Sequence, residues 1–178
     1  MNQYSYKNYV GFSIYWGDIM RILDFIPLHT QRLILKQTSR DDIDLILKMD
    51  KQEDTQMFLG GIKDKSRDER IEFLDKKNNN GNSLTVMLDG VAIGFVGLKV
   101  TDNIGEISYI FDSDYTGNGY ASECVSKLID IGFNELMLDS IFAESKEDNI
   151  ASRKVLEKNG FIEKTRNEEF IIYELKGR

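Results

Sequence analysis

Cysteine is almost missing from this chain: its 178 residues contain one, Cys124. No intrachain disulfide can form, which fits a reducing cytoplasm. Histidine is equally scarce, with His29 alone. One Cys and one His argue against a Cys/His zinc site, and no metal is expected. The single proline, Pro27, marks a junction between an N-terminal extension, residues 1–27, and one domain, residues 28–178. No apolar stretch approaches a membrane span. The first residues lack the basic region and long apolar run of a signal peptide. Repeats, low-complexity tracts and linkers are absent. Basic residues are outnumbered, 23 Lys and Arg against 30 Asp and Glu, for a net charge of −7. That balance argues against nucleic acid and membrane as partners. It suits a cationic amine substrate.

What is present belongs to a soluble globular domain, with 41% hydrophobic and 30% charged residues. Residues 31–36 read as a first strand. Ser39, with Asp41 and Asp42 behind it, caps a helix whose apolar side carries Ile43, Ile46, Leu47 and Met49. Ser66 and Glu69 form a capping box for a second helix, carrying Ile71 and Leu74 and stopping near residues 78–81. Residues 50–65 between them read as polar and irregular, broken at Gly60-Gly61. Residues 82–88 and 91–100 read as strands, and Asp89-Gly90 between them is a hairpin signal. A turn at residues 101–103 leads into a strand ending at Phe111.

From Ala121 the apolar positions Cys124, Val125, Leu128, Ile129, Gly132 and Phe133 mark an amphipathic helix, with Cys124 on its buried stripe. A strand over 140–143 and a helix over 150–158 come next. Gly160 suits the left-handed position after that helix, with Phe161 packing beyond it. Residues 161–165 and 170–175 form a last hairpin. This order is an α/β or α+β mixed sheet.

One segment points to chemistry. Asp114-Tyr115-Thr116-Gly117-Asn118-Gly119-Tyr120-Ala121 joins a strand to a helix start. Glycines let backbone N–H groups converge without a Cβ in the way, and the open first turn and dipole of the helix add positive potential. This is an anion-binding geometry. No Gly-Lys-Ser/Thr comes after it, so it is not a P-loop, and it lacks the three glycines of the dinucleotide fingerprint.

A second block, Asn149-Ile150-Ala151-Ser152-Arg153-Lys154-Val155-Leu156-Glu157-Lys158-Asn159-Gly160-Phe161, lies downstream. With Gly119-Tyr120-Ala121-Ser122-Glu123 it resembles motifs A and B of the GCN5-related N-acetyltransferases (GNAT), and most of all the RimJ/RimL-type branch that acetylates ribosomal-protein N-termini and small amines. The resemblance runs from about Leu28 to Leu175. It implies a single-domain GNAT fold: a mixed, mostly antiparallel sheet with a splayed parallel strand pair, flanked by helices. It implies acetyl-CoA as cosubstrate, its pantetheine arm between the splayed strands, and no metal.

By the same resemblance, Tyr109, Ile110, Phe111, Thr116, Gly117, Asn118, Gly119, Tyr120, Ala121 and Asn149 hold acetyl-CoA. Residues 50–65 border the acceptor site. A homodimer is left open. The family's basic or polar residue three positions before the first glycine is replaced by Asp114, so a phosphate contact is missing there. Arg153 and Lys154 read as a solvated helix face, the alternative being that they help neutralise the cofactor phosphates. Glu123 reads as structural, steadying the first turn of its helix.

Acetyl transfer to an amine needs a neutral nucleophile, although a lysine-type amine has a pKa of about 10.4 and an α-amine about 8. A base is therefore useful, directly or through water. Glu106, at the start of the cofactor strand, is the candidate base; the alternative is a solvated strand-end carboxylate. Ser152 is the candidate for hydrogen-bonding the departing thiolate, and the alternative is a helix cap. Relatives with a tyrosine four residues later have Leu156 as their counterpart here. His29 lies before the first strand and far from both motifs.

The expected activity is N-acetyl transfer from acetyl-CoA to a primary amine of a small molecule or protein N-terminus in a ternary complex. The alternatives are a ribosomal-protein N-terminal acetyltransferase and a non-catalytic acyl-CoA-binding regulator. Residues 1–19 show no period or cap, and Met20 is a natural start. Alternatively, Tyr4, Tyr6, Tyr9, Phe12, Tyr15 and Trp16 form an arm that docks on the domain or across a dimer.

Overall fold

A computed structural model describes residues 22–78 and 83–177. The N-terminal arm, the Met20 start, the helix stop at residues 79–81 and the strand start at Asn82 lie outside the described residues. Eight strands form one sheet in the order β1-β2-β3-β4-β5-β6-β8-β7. They are Leu28–His29, Ile34–Gln37, Ser83–Leu88, Val91–Thr101, Ile104–Phe111, Ser140–Ser145, Ile162–Arg166 and Ile171–Lys176, numbered β1 to β8 along the chain. Five helices accompany them: α1 Ile43–Asp50, α2 Glu53–Gln56, α3 Arg67–Asn78, α4 Tyr120–Asp130 and α5 Ile150–Lys158. The sheet is antiparallel except where β5 meets β6. The mixed sheet with one parallel pair is the architecture the motifs imply.

The turns read from sequence are present, and their backbone shows why. Asp89 and Gly90 both take positive φ, 48° and 83°, as a two-residue hairpin matched to strand twist requires. Asp102 and Asn103 do the same between β4 and β5. The Ser66/Glu69 capping box is formed in both directions, at 2.8 and 3.2 Å. After α5, Gly160 takes φ 86°, its N–H donates to Glu157 and that of Phe161 to Leu156. Phe161 packs into the core.

Other readings are corrected. The first strand is not continuous over 31–36. The chain pairs Leu28–His29 with Ile34–Leu35 and turns at residues 30–33, where the Thr30 N–H donates to the Leu33 carbonyl. On α1, Leu45 is buried and Leu47 only half-buried. The Ser39 capping box begins a 3₁₀ turn, Arg40–Asp42, and α1 after it packs against α2 and α3 as well as β4, so more than one of its faces is covered. Residues 50–65 are not wholly irregular, since they contain α2.

Helix α4 starts at Tyr120 and ends in a π-turn, Ile131–Glu135. That turn buries Ile131 and leaves Ile129 and Phe133 half-buried. Gly132 lies against β6, where a Cβ would come within 2.8 Å of Ile141. Ile22 joins the core, 2% exposed, from within the segment assigned to the extension.

Register fixes which residues share a face. Leu84, Val86, Val96, Leu98, Ile107, Tyr109 and Phe111 line the face packed against α4 and α5. Thr85, Phe95, Ser108, Ile110 and Glu106 line the opposite face, toward α1 and α3. Strand β3 is buried on both sides over Ser83, Leu84, Thr85 and Val86, as a central strand between two helix layers must be. Among the described residues, no helix is long and apolar enough to cross a membrane.

Candidate active site

Strands β5 and β6 pair at Ile104–Ser140, Gly105–Ile141 and Glu106–Phe142, and their register stops there. Beyond Glu106 the edge of β5 is open over Ile107–Phe111, while its other edge stays paired with β4 to Phe111. Glu106 therefore sits at the fork. Its side chain is 58% exposed, with Lys99 at 3.7 Å.

Two hydroxyls approach the cleft from the other face. The Tyr109 hydroxyl and Ser152 Oγ lie 2.9 Å apart, and the tyrosine is also 3.1 Å from the Ser152 carbonyl oxygen. Burial pushes the Tyr109 phenol up to about 12, although the Ser152 contact pulls the other way. It therefore holds its proton at neutral pH. Ser152 does not cap α5. The cap is Asn149, whose side-chain oxygen accepts the Ser152 N–H at 3.1 Å. The position four residues beyond Ser152, occupied by tyrosine in some relatives, holds the fully buried Leu156. The hydroxyl beside Ser152 comes from β5 instead.

The glycine loop begins after β5. Gly117 and Gly119 have φ of 78° and 81°, and Gly119 is the N-cap of α4, with no side chain bonded to the cap. The first-turn N–H groups of that helix have no intrahelical acceptors. A Cβ on Gly117 would meet nothing within 4 Å, so the space above the loop is open. A pyrophosphate fits this cradle of positive-φ glycines and helix N-terminus. Thr116 and Asn118 bond their own loop: Thr116 donates to Ser113, and Asn118 to Tyr115 and Thr116. Phe111 is buried, and its carbonyl accepts the Thr55 hydroxyl at 3.3 Å. Ile110 is half-buried on the α1/α3 face, and Ala121 half-buried in the first turn of α4.

A cation stands beside the loop after all, and it is Arg32, from the turn between β1 and β2. Its guanidinium donates to the Asn118 carbonyl at 3.1 Å and lies 4.5 Å from the centre of the Tyr120 ring. It also grips Glu123, with contacts of 2.8 and 2.7 Å. Glu123 further accepts the Thr30 hydroxyl at 2.6 Å and the Arg32 N–H at 2.8 Å. Burial raises the Glu123 carboxyl pKa, but these donors together hold it below the usual range. The role of Glu123 is structural, yet it ties the β1–β2 turn to α4 rather than steadying its own first turn.

The front of the loop is fixed by α1. Buried Asp112 accepts from Lys48 at 2.6 Å and Gln52 at 2.7 Å. Burial pushes this carboxyl up, and the Lys48, Gln52 and Asp114 N–H donors outweigh it. Asp114 bonds Lys48 at 2.5 Å. Contacts to Asp112 first and Asp114 second raise the Lys48 amine. The acidic departure at Asp114 thus serves loop anchoring. No local signal marks Arg32, Lys48 or Gln52 as loop anchors, because the loop groups they hold lie 60 or more residues away.

The remaining candidates lie aside. Arg153 bonds the Tyr173 hydroxyl and the Glu147 carbonyl, and Lys154 is exposed. His29 is exposed in β1. Cys124 is fully buried, and burial first, then the Glu123 charge, pushes its thiol up to about 12. It is core, as its place on the apolar stripe predicts. Native protein at pH 8 is expected to leave Ellman's reagent unreacted for many minutes, and unfolded protein to release one equivalent at once. Rapid reaction of the native thiol would contradict this placement.

Comparison with known proteins agrees with this geometry. Residues 32–162 match the Acetyltransferase (GNAT) domain family. The uncharacterized N-acetyltransferase p20 of Bacillus licheniformis is 30% identical over 144 residues, 75% of this chain and 81% of that protein. A GNAT-family acetyltransferase from Bacillus anthracis superposes with a TM-score of 0.73 at 22% identity, over 83% of this chain and 96% of that one. Spermidine N-acetyltransferase from Vibrio cholerae, solved with CoA and spermine, superposes at 0.69 and 20% identity, over 82% and 95%. The chain belongs to the GNAT family and is an acetyl-CoA-dependent acetyltransferase.

Proposed function

We propose that this enzyme moves the acetyl group of acetyl-CoA to a primary amine, on a small molecule or a protein N-terminus, by direct attack in a ternary complex. The observation that carries this reading is the fork, with Glu106 on one face and the Tyr109–Ser152 hydroxyl pair on the other. A thioester held between β5 and β6 has an amine-side base and a thiol-side donor on opposite sides. The pyrophosphate rests on the loop of Gly117, Asn118, Gly119, Tyr120 and Ala121, with Arg32 beside it. Thr116 closes that loop, Asn149 caps the helix that carries Ser152, and Tyr109, Ile110 and Phe111 carry the backbone edge for the pantetheine arm. Bound acetyl-CoA supplies an activated acyl group with a thiolate leaving group. Glu106 removes the amine proton directly or through water, and the hydroxyl pair receives the departing sulfur.

The test is acetyl-CoA-dependent thiol release over a panel of amines and N-terminal peptides. Intersecting double-reciprocal plots are expected. Acetyl-CoA binding without turnover of any acceptor would favour the regulatory alternative, and turnover restricted to ribosomal-protein N-termini the ribosomal one.

The hydroxyl pair gives a graded prediction. A free thiol has a pKa of about 8.5, so a thiolate departs without a strong acid. Ser152→Ala and Tyr109→Phe are each expected to lower kcat by about tenfold, less than general-base loss costs. The double variant should be no worse than the poorer single one, because the groups act as one unit. Normal turnover in both single variants, with a lowered melting temperature, would make the pair purely structural.

A further inference from the structure

A cavity of about 230 Å³ opens between α1, α3 and the sheet, on the face that carries Glu106, Ser108 and Ile110. It lies below the roughly 300–1,000 Å³ of drug-sized ligand sites, so it suits one small body. Its apolar walls include Ile46, Met49, Phe95 and Ile110. Leu59 and Phe73 line it while remaining about half exposed, 47% and 49%, so its mouth is apolar too.

The charged lining consists of Asp50, Lys63 and Arg70. Arg70 holds Asp50 with two bonds of 2.6 Å, and their side chains are 13% and 6% exposed. That pair is neutral as a unit. Lys63 is different: its ammonium donates to the side-chain oxygen of Gln56, a neutral partner, at 2.9 Å. Gln56 is itself buried and anchored to the Met49 carbonyl, and the Lys63 N–H is tied to the Asp50 carbonyl. The cation is built into the wall. The protein's net charge is −7, yet this cavity carries one positive charge in excess.

We infer, on the acetyltransferase reading above, that the acceptor is a primary amine on a small apolar body whose far end bears a carboxylate or similar anion, and that Lys63 selects it. Ile110 borders the cavity, and Glu106 lies four residues along β5, about 13 Å of strand. The amine meets the thioester on the open β5 edge near Ile110 while the anion stays back at Lys63, and Glu106 is reached through water. There the amine nitrogen bonds the thioester carbonyl carbon, the C–S bond breaks, CoA leaves as thiolate, and the amine's extra proton passes to Glu106 or water. A polycation meets the unbalanced charge of Lys63 unfavourably and is rejected. This reverses the expectation from net charge, because the local charge of a cavity decides what is bound inside it.

The test compares 4-(aminomethyl)benzoate with 4-methylbenzylamine, which exchanges the carboxylate for a methyl group, and with spermidine. Thiol release from acetyl-CoA reads transfer; calorimetry on the CoA-saturated enzyme reads binding alone. The carboxylate compound is expected to lead in both by about tenfold, the worth of one charge-assisted bond. Lys63→Met should erase the lead and Lys63→Glu reverse it, with the melting temperature confirming both folds. Carboxylate-selective binding that depends on Lys63, without transfer to any amine, would uphold the cavity's specificity and sink the transfer reading. A wild-type preference for spermidine or 4-methylbenzylamine, or a lead that survives Lys63→Glu, would overturn the inference.

Discussion

A Gly119→Val enzyme is expected to lose acetyl-CoA binding by at least about 100-fold while keeping its fold. Gly119 sits at φ 81° at the start of α4, where the first-turn amides have no intrahelical acceptors. A valine there faces two problems. A β-branched residue is an outlier in the left-handed region, so the loop relaxes and its N–H groups no longer converge. The side chain also occupies the place through which an anion approaches. The protein itself gives little resistance: a Cβ at this position would have its nearest neighbour at 3.7 Å, a nitrogen of Arg32. The stability cost is therefore mostly backbone strain, about 1–2 kcal/mol, or a few degrees of melting temperature.

Gly90→Val is the matched control. Gly90 has φ 83° in the β3–β4 hairpin, with nothing within 4 Å of an added Cβ. It should lose similar stability and no affinity. Calorimetry showing unchanged acetyl-CoA affinity in Gly119→Val would remove the loop from the binding site.

The sequence reveals what is encoded locally. The Asp89-Gly90 and Asp102-Asn103 turns, the Ser66/Glu69 box and the end of α5 at Gly160 each depend on residues within a few positions, and each is found where it is read. The parallel fork is legible only through motif resemblance, since nothing local dictates that β5 and β6 part after Glu106. What escapes is set by assembly. Arg32 reaches Glu123 across 91 residues, and Lys48 reaches Asp112 across 64. Read along the chain, Asp114 is a missing phosphate contact; in the fold it is a partner of Lys48, and Arg32 brings a cation to the loop from another turn. Phase is lost in the same way. Packing of α1 against α2 and α3 as well as the sheet buries Leu45 more than Leu47, and the π-turn after α4 breaks the 3.6-residue period. The opposition of Glu106 and Ser152 across the sheet is equally invisible, because a face is defined only once register exists.

That opposition makes Glu106→Gln the most informative change at the reaction centre. Glutamine keeps the shape and removes the proton acceptor. The expected result is a fall in kcat of roughly 10²–10⁴-fold, with the acetyl-CoA KM little changed, because the proposed mechanism puts this side chain on the amine side of the fork. The deficit should depend on pH. A lysine-type amine with a pKa near 10.4 is neutral in fewer than about one molecule in a thousand at pH 7. Each unit of rising pH supplies about tenfold more free amine, so the need for a base shrinks. The loss should therefore be clearest below pH 8 and narrow above it.

Lys99, 3.7 Å from Glu106 and 62% exposed, gives a second control. An exposed pair of this kind contributes well under about 1 kcal/mol, so Lys99→Met should leave the profile nearly in place. A deficit in Glu106→Gln that is the same at every pH would mean that the carboxylate positions the amine without taking its proton. A rate within twofold of wild type across the whole range would remove Glu106 from the mechanism.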